Sequence, residues 1–306
     1  MFAVTILGNN SALPAHNRFP TAQVVTFQDQ LFLVDCGEGT QMQMSKYKIK
    51  RSRIHHIFIS HLHGDHYFGL IGLLNSFSLL GRKDPLSIYA PPELKIIIEL
   101  QLQYASTTLG FPLDFISLTE DQTGIILEGK DIQVSYFKTH HRIPCFGFLF
   151  REKKEKRKLN IEEVRAHGIP TYFYSRLQEG EDYINREGVI VKNEWVTLDP
   201  LPGKSYAFCA DTLYDESIIP YIEGCDMIYH ESTYLQDQLE RATQRFHTIT
   251  VQAAAIARKA KVKKLLIGHF SSKYEELEPF LEECRPIFPN TDLAIEGVTF
   301  PVGAMG

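Results

Sequence analysis

The segment Ser60-His61-Leu62-His63-Gly64-Asp65-His66 follows the apolar run Ile57-Phe58-Ile59 and precedes a second apolar stretch, Tyr67 to Leu80. It places three imidazoles and a carboxylate within six residues. On an extended chain His61 and His63 point to the same side, and Asp65 and His66, where the chain turns into a helix, can face back towards them. Such a cluster at the end of an apolar strand is costly as mere packing, because buried polar groups must find partners. As a cradle for two adjacent metal ions it has a purpose.

Two metals need more ligands, and three other strand ends offer them: His140-His141 after VSYFKT, Asp211 after YAFCA, and His269 after LLIG. Any one of these alone reads as an ordinary polar residue closing a strand. Their recurrence after apolar runs points to one shared site of nitrogen and oxygen donors, a set that suits zinc, with manganese, iron or cobalt as possible substitutes. His55 and His56 sit early in their strand, at the end remote from the cluster, and His16 and His167 have no paired carboxylate in the sequence to raise them above solvent-exposed histidines; none of the four is expected at the site.

Composition sets limits on the rest. Over 306 residues, 44% are hydrophobic and 23% charged, enough to fill a large core. Mean hydropathy is -0.16, and no apolar run approaches the roughly 20 residues of a membrane-spanning helix. The amino terminus lacks the basic and long apolar regions of a signal peptide, so a cytoplasmic protein without membrane contact is expected. Five scattered cysteines, none in a CxxC pair, argue against a disulfide framework or a thiolate metal site. A formal charge of -5 gives no global pull on nucleic acid, so any such binding must be local. Two basic patches could supply it: Lys46, Lys48, Lys50, Arg51 and Arg53, and the Arg151 to Lys158 run; either alone also reads as a solvated face.

Short β-rich runs recur between turn residues: AVTILG, AQVVTF, LFLVDCGEG, IHHIFISH, LSIYAP, IQVSYFKTH, FGFLF, SYAFCAD, MIYHEST and KLLIGHF. Helices are expected over Tyr67 to Leu80, closed by Gly81, from Pro92 to about Thr107, from Ile249 to about Lys261, and from Glu275 to Cys284. Strands in two groups with interleaved helices predict an α/β (α+β) chain with two sheets between helical layers, not one doubly wound sheet. We read residues 1–306 as a single domain with an inserted arm at about 152–194, where the sequence turns basic and then rich in Tyr, Glu and Gly.

Taken together these segments resemble the metallo-β-lactamase superfamily, and within it the ribonuclease Z family, endonucleases that remove 3′ trailers from precursor tRNA. The motifs that carry the resemblance run nearly end to end: LGNNSALP, DCGEGTQ, ISHLHGDHYFGLIGLL, His141 before PCFGF, ADT at Ala210 to Thr212, HEST at His230 to Thr233, His247-Thr248 and GHFSSKY. HxHxDH marks only the superfamily; DCGEGTQ, HEST and HFSSKY in this order mark the ribonuclease Z branch. The resemblance implies a four-layer αββα sandwich with an RNA-gripping arm. It implies two zinc ions per chain, one held by His61, His63 and His141, the other by Asp65, His66 and His269, with Asp211 bridging. His141 is preferred to His140 by its spacing before Gly147-Phe148. Asp35 has two readings, orienting a ligand imidazole or stabilising a turn.

In the activity so implied, the two metals activate a water and neutralise charge on both attacking and leaving oxygens of a phosphodiester. Asp65 could also orient or deprotonate the nucleophile. His247 is the candidate proton donor to the leaving oxygen, charge-stabilised by Glu231 of HEST, although a residue just before a helix could simply cap it. The tRNA would keep a 3′ hydroxyl and the trailer a 5′ phosphate. Precursor tRNA is the implied partner, gripped by shape and backbone contacts, and a homodimer is implied, with one subunit's arm serving the other's active site. Two stretches depart from the family: the loop Pro14-Ala15-His16-Asn17-Arg18-Phe19 keeps only the proline and arginine of PxKxRN, and the arm after Gly168-Ile169-Pro170 continues as TYFYSRLQEG. The alternative activity is that of a general metal-dependent phosphodiesterase on the same scaffold.

Overall fold

The computed structural model describes residues 1–153, 156–200 and 203–303. These form two compact units, one comprising 1–128, 132–151 and 204 onwards, the other 129–131 and 152–203.

The larger unit is built on two seven-stranded sheets. The first orders its strands Thr299–Pro301, Phe2–Gly8, Ala22–Phe27, Gln30–Val34, Ile54–Phe58, Leu86–Ala90 and Leu113–Ser117. The second runs Thr291–Leu293, Leu265–Gly268, Met227–Glu231, Ser205–Cys209, Phe146–Glu152, Ile132–Lys138 and Gly124–Glu128. Alternation along the strands explains why they stack. Phe32, Val34, Phe58, Phe148, Phe150, Tyr206 and Phe208 turn into one cluster fed by both sheets. Their neighbours Leu33 and Ile57 face the helices Leu70–Leu79 and Glu93–Tyr104 through Leu70, Leu73, Leu74, Leu94 and Ile98. Ala207, Cys209, Ile228 and Ile267 face Thr250–Lys259 and Glu278–Cys284 through Ala253, Ala254, Ala257 and Phe280. The layers are therefore helix, sheet, sheet, helix, the αββα architecture expected from the strand grouping.

Phe148 sits at the middle of this stack, fully buried, its ring centroid 5.3 Å from that of Phe58 across the sheets. Phe148→Ala should cost about 3–5 kcal/mol of stability, since the facing sheets cannot close the void. Urea unfolding with an unchanged slope and a lower midpoint would register it; a midpoint equal to wild type would show that the sheets are not packed through this ring.

Helix boundaries depart from expectation at one informative place. The helix predicted from Tyr67 to Leu80 is two pieces, Gly64–Tyr67 and Leu70–Leu79. The break falls where the Gly69 amide donates to Cys36 O at 2.9 Å instead of continuing the helical ladder. A side chain is excluded there: a Cβ on Gly69 would lie 2.2 Å from Gly37 O, and one on Gly37 would lie 2.5 Å from Asp65 O. The DCGEG and HGDHYFG segments thus press backbone to backbone, which fixes the loop carrying His61 to His66.

The smaller unit has a core of its own, Val164, Ile169, Phe173, Leu177, Val191 and Val196. Two short antiparallel pairs frame it, Lys158–Leu159 with Thr197–Leu198 and Tyr183–Ile184 with Ile190–Val191. Because the strand at Thr197 pairs back to Lys158, this unit extends past residue 194. Lys156 meets Glu179 at 2.9 Å, Arg157 pairs with Asp199, and Lys192 meets Asp182 at 2.8 Å, so part of the basic run is neutralised locally. Lys154 and Glu155 of that run lie outside the described residues.

Candidate metal centre

Most of the chemistry-bearing residues stand at or just past the carboxyl end of a strand; Asp65 and His66 ride on the short helix Gly64–Tyr67, and His247 follows the helix Leu239–Arg245. His61 lies beyond Ile54–Phe58, His141 beyond Ile132–Lys138, Asp211 beyond Ser205–Cys209, and His269 beyond Leu265–Gly268; Glu231 ends its own strand. Parallel pairing of the strands 205–209, 227–231 and 265–268 aligns three of these ends side by side. Open α/β sheets place ligand sites at such ends.

Two donor groups converge there. In the first, His61 Nε2 and His141 Nε2 lie 3.0 and 3.2 Å from His63 Nδ1, and Asp211 Oδ2 is 3.6 Å from His61 Nε2. In the second, His66 Nε2 and His269 Nε2 are 3.3 Å apart, each within 3.5 Å of Asp65 Oδ2. Asp211 reaches this group too, 3.5 Å from His66 Nε2 and 3.3 Å from His269 Nε2. Within each group every donor atom lies within 4.8 Å of the others, a spacing able to hold a metal ion. Asp211 with His247 and His269 makes a third such group, so geometry alone allows His247 either role.

The surroundings pin each ring. Asp35 Oδ2 holds His66 Nδ1 at 2.7 Å while the carboxylate accepts from the Ser60 amide and hydroxyl. Phe246 O holds His141 Nδ1 at 2.9 Å, and the Thr233 hydroxyl holds His269 Nδ1 at 2.9 Å. Three of the residues involved have left-handed backbones, Asp35 at φ 56°, Phe246 at 60° and His269 at 61°. Outside glycine such conformations cost about 1–3 kcal/mol each and gather where a site demands a direction. His140 is exposed and sits beside Phe246, away from both groups.

Electrostatics favour cation binding. Burial, with the neighbouring imidazoles, pushes His61 and His141 below the usual histidine range and His63 to about 4, against the opposing pull of Asp211, so all three are neutral and ready to donate lone pairs. Burial would raise Asp211, but His269, His66 and His61 hold it ionised; Asp65 is likewise kept ionised, chiefly by His66. Burial would also lower His66, yet Asp211, Asp65 and Asp35 raise it well above its ordinary value.

Glu231 and His247 form a second constellation on the same rim. Glu231 is fully buried; its Oε1 meets His247 Nδ1 at 2.9 Å and accepts from the Thr212 and Thr248 amides, and its Oε2 accepts from Thr233. Against burial, Glu231 with help from Asp211 lifts His247 to about 9. The following helix begins at Thr250 with Ile249 at its cap position, so His247 is not the capping residue.

The four remaining candidates fall elsewhere, as expected. His56 stacks on Phe32 and bonds Tyr89, His55 meets Arg82, and His16 meets Ser272 O, with His167 exposed in the smaller unit. Sequence reasoning missed Ser60 and Thr233 as supports, though each stands inside a motif already singled out. It also missed Phe68, Arg142, Arg241 and Arg245, which line a cavity of about 460 Å³ over the donor groups; nothing in their spacing marks them.

A family model described as "Anti-Pycsar protein Apyc1" matches residues 2–159. That span holds the HxHxDH segment and His141 but ends before Asp211, Glu231, His247 and His269. Full-length relatives span them. The chain is 42% identical over 297 residues to ribonuclease Z of Bacteroides fragilis, covering 97% of this chain and 98% of that one. It is 40% identical over 301 residues to ribonuclease Z of Bacteroides thetaiotaomicron, covering 98% and 95%. The chain belongs to the ribonuclease Z family. Among solved structures, the short form of human tRNase Z is similar at TM-score 0.72 and 25% identity, covering 99% of this chain and all of that one. The metallo-β-lactamase fold protein YhfI of Bacillus subtilis, at TM-score 0.68, 20% identity and 98% coverage of both chains, shares the fold. This member of the ribonuclease Z family is thus a hydrolase of the endoribonuclease type on a metallo-β-lactamase fold, with His/Asp groups able to bind metal, and none of its described helices is long and apolar enough to cross a membrane.

Proposed function

We propose that this protein removes 3′ trailers from precursor tRNA by phosphodiester hydrolysis, with two zinc ions per chain. The observation that carries this reading is the convergence of seven side chains, His61, His63, Asp65, His66, His141, Asp211 and His269, from separate strand ends into two adjoining donor groups. The donor set fits zinc: imidazole nitrogens aim at one another at 3.0–3.3 Å with carboxylate oxygens beside them and no sulfur. His61, His63 and His141 would hold one ion, Asp65, His66 and His269 the other, and Asp211 both. When bound, the pair supplies an acidified water and neutralises charge on the attacking and leaving oxygens.

The chain's own residues do the rest. Asp65, held ionised and fixed by the Ala12 amide at 2.7 Å, can orient the nucleophile by accepting a hydrogen bond from it. His247, bound to Glu231 through Nδ1, has Nε2 left to donate a proton to the departing ribose 3′ oxygen. The P–O3′ bond breaks, giving tRNA its 3′ hydroxyl and the trailer a 5′ phosphate. By family resemblance we further propose a cytoplasmic homodimer in which the unit at 152–203 grips the tRNA; light scattering should then give twice 35.0 kDa.

Incubation with a 3′-extended tRNA transcript, with and without chelator, tests the activity. A single cut at the trailer junction, lost with chelator and restored by zinc, is expected; cleavage of a model phosphodiester but not of the transcript would favour a general phosphodiesterase. Asp35→Asn should weaken zinc retention about 10- to 100-fold, as loss of an orienting carboxylate does. Competition with a chromogenic chelator measures this, and unchanged affinity would leave Asp35 only its turn.

A further inference from the structure

Arg241 and Arg245 lie one turn apart on the helix Leu239–Arg245 and both line the cavity over the donor groups. Both are exposed, and among the described residues neither has a carboxylate within ion-pair distance. The Arg241 guanidinium stacks 5.7 Å from the centroid of Tyr234, another cavity residue, which restrains it at the rim. Like charges at this spacing oppose helix stability by a few tenths of a kcal/mol. Among the described residues some exposed arginines are matched, as Arg176 is with Glu181 and Arg285 with Asp292, and others such as Arg165, Arg186 and Arg258 are not; what sets Arg241 and Arg245 apart is that both line the cavity over the donor groups. In a protein of net charge -5, two unmatched guanidinium groups beside His247 form a local anion site. Arg142, also at the rim, differs in being bonded to His63 Nε2 at 3.0 Å.

We propose that Arg241 and Arg245 clamp the backbone phosphates next to the scissile one, so that the RNA strand is held in register over the metal centre. This rests on the phosphodiesterase reading above and adds the specificity element that separates a polynucleotide from a small diester. Planar guanidinium groups suit phosphate oxygens, and the bonds they make there carry no base information.

The test compares wild type, Arg241→Ala/Arg245→Ala and Arg241→Lys/Arg245→Lys on a 3′-extended tRNA transcript and on bis(p-nitrophenyl) phosphate, which has no flanking phosphates. The alanine pair should raise KM for the transcript about tenfold per arginine, with kcat far less affected, and cut kcat/KM for the transcript at least tenfold more than for the small diester. The slope of log KM against log salt should shrink by about 0.7 for each phosphate no longer gripped, and the lysine pair should recover most of it. Equal losses on both substrates, or an unchanged KM and salt slope with the transcript, would overturn the clamp while leaving the nuclease intact. A wild-type enzyme that turns over only the small diester would overturn both.

Discussion

Asp211→Ala is expected to lower kcat/KM on 3′-extended tRNA by at least about a thousandfold, since the metals it would bridge supply several kcal/mol of transition-state stabilisation. Among the described residues no other carboxylate touches both donor groups: Asp211 Oδ2 lies 3.6 Å from His61 and 3.5 Å from His66, and its Oδ1 3.3 Å from His269. Without it the first group has only imidazoles, and the buried, raised His66 loses the partner that contributes most to its charge. Zinc per chain after dialysis should therefore fall together with activity. Full zinc content with near-normal turnover would show that the two groups do not share this residue.

His247→Ala should depress kcat by about a hundred- to ten-thousandfold, the range typical of a positioned proton donor, with bound zinc unchanged. Its proximity to Asp211 and His269 makes metal content the deciding readout; loss of an ion would make His247 a ligand. The pH profile gives a second check. A donor must be protonated, and His247 stands at about 9, so kcat should fall as pH rises through that value. Glu231 is the main group raising it, so Glu231→Gln moves the proton's release towards the ordinary histidine value and brings the alkaline limb down in pH. An alkaline limb that stays in place in that variant would remove His247 from proton transfer.

The sequence revealed the layers and the donors for different physical reasons. Period-two alternation in FGFLF and SYAFCA and small-residue helices such as TVQAAAIARK leave compositional traces that predict which face is buried. The metal-type residues were visible because polar clusters after apolar runs are costly without a task. What escaped was whatever depends on through-space approach. The split at Phe68 and Gly69 comes from the close approach of the Gly37 segment, some thirty residues earlier, which no local pattern encodes. The direction of His269 depends on a left-handed backbone, and the stacking of Arg241 on Tyr234 at the cavity rim depends on the loop joining HEST to the next helix.

The most direct measurement is anomalous diffraction at the zinc edge from crystals of the zinc-loaded protein. Two peaks are expected, one enclosed by His61, His63 and His141, one by Asp65, His66 and His269, with Asp211 between them. A single peak, peaks elsewhere, or an empty cluster under saturating zinc would contradict a dinuclear centre.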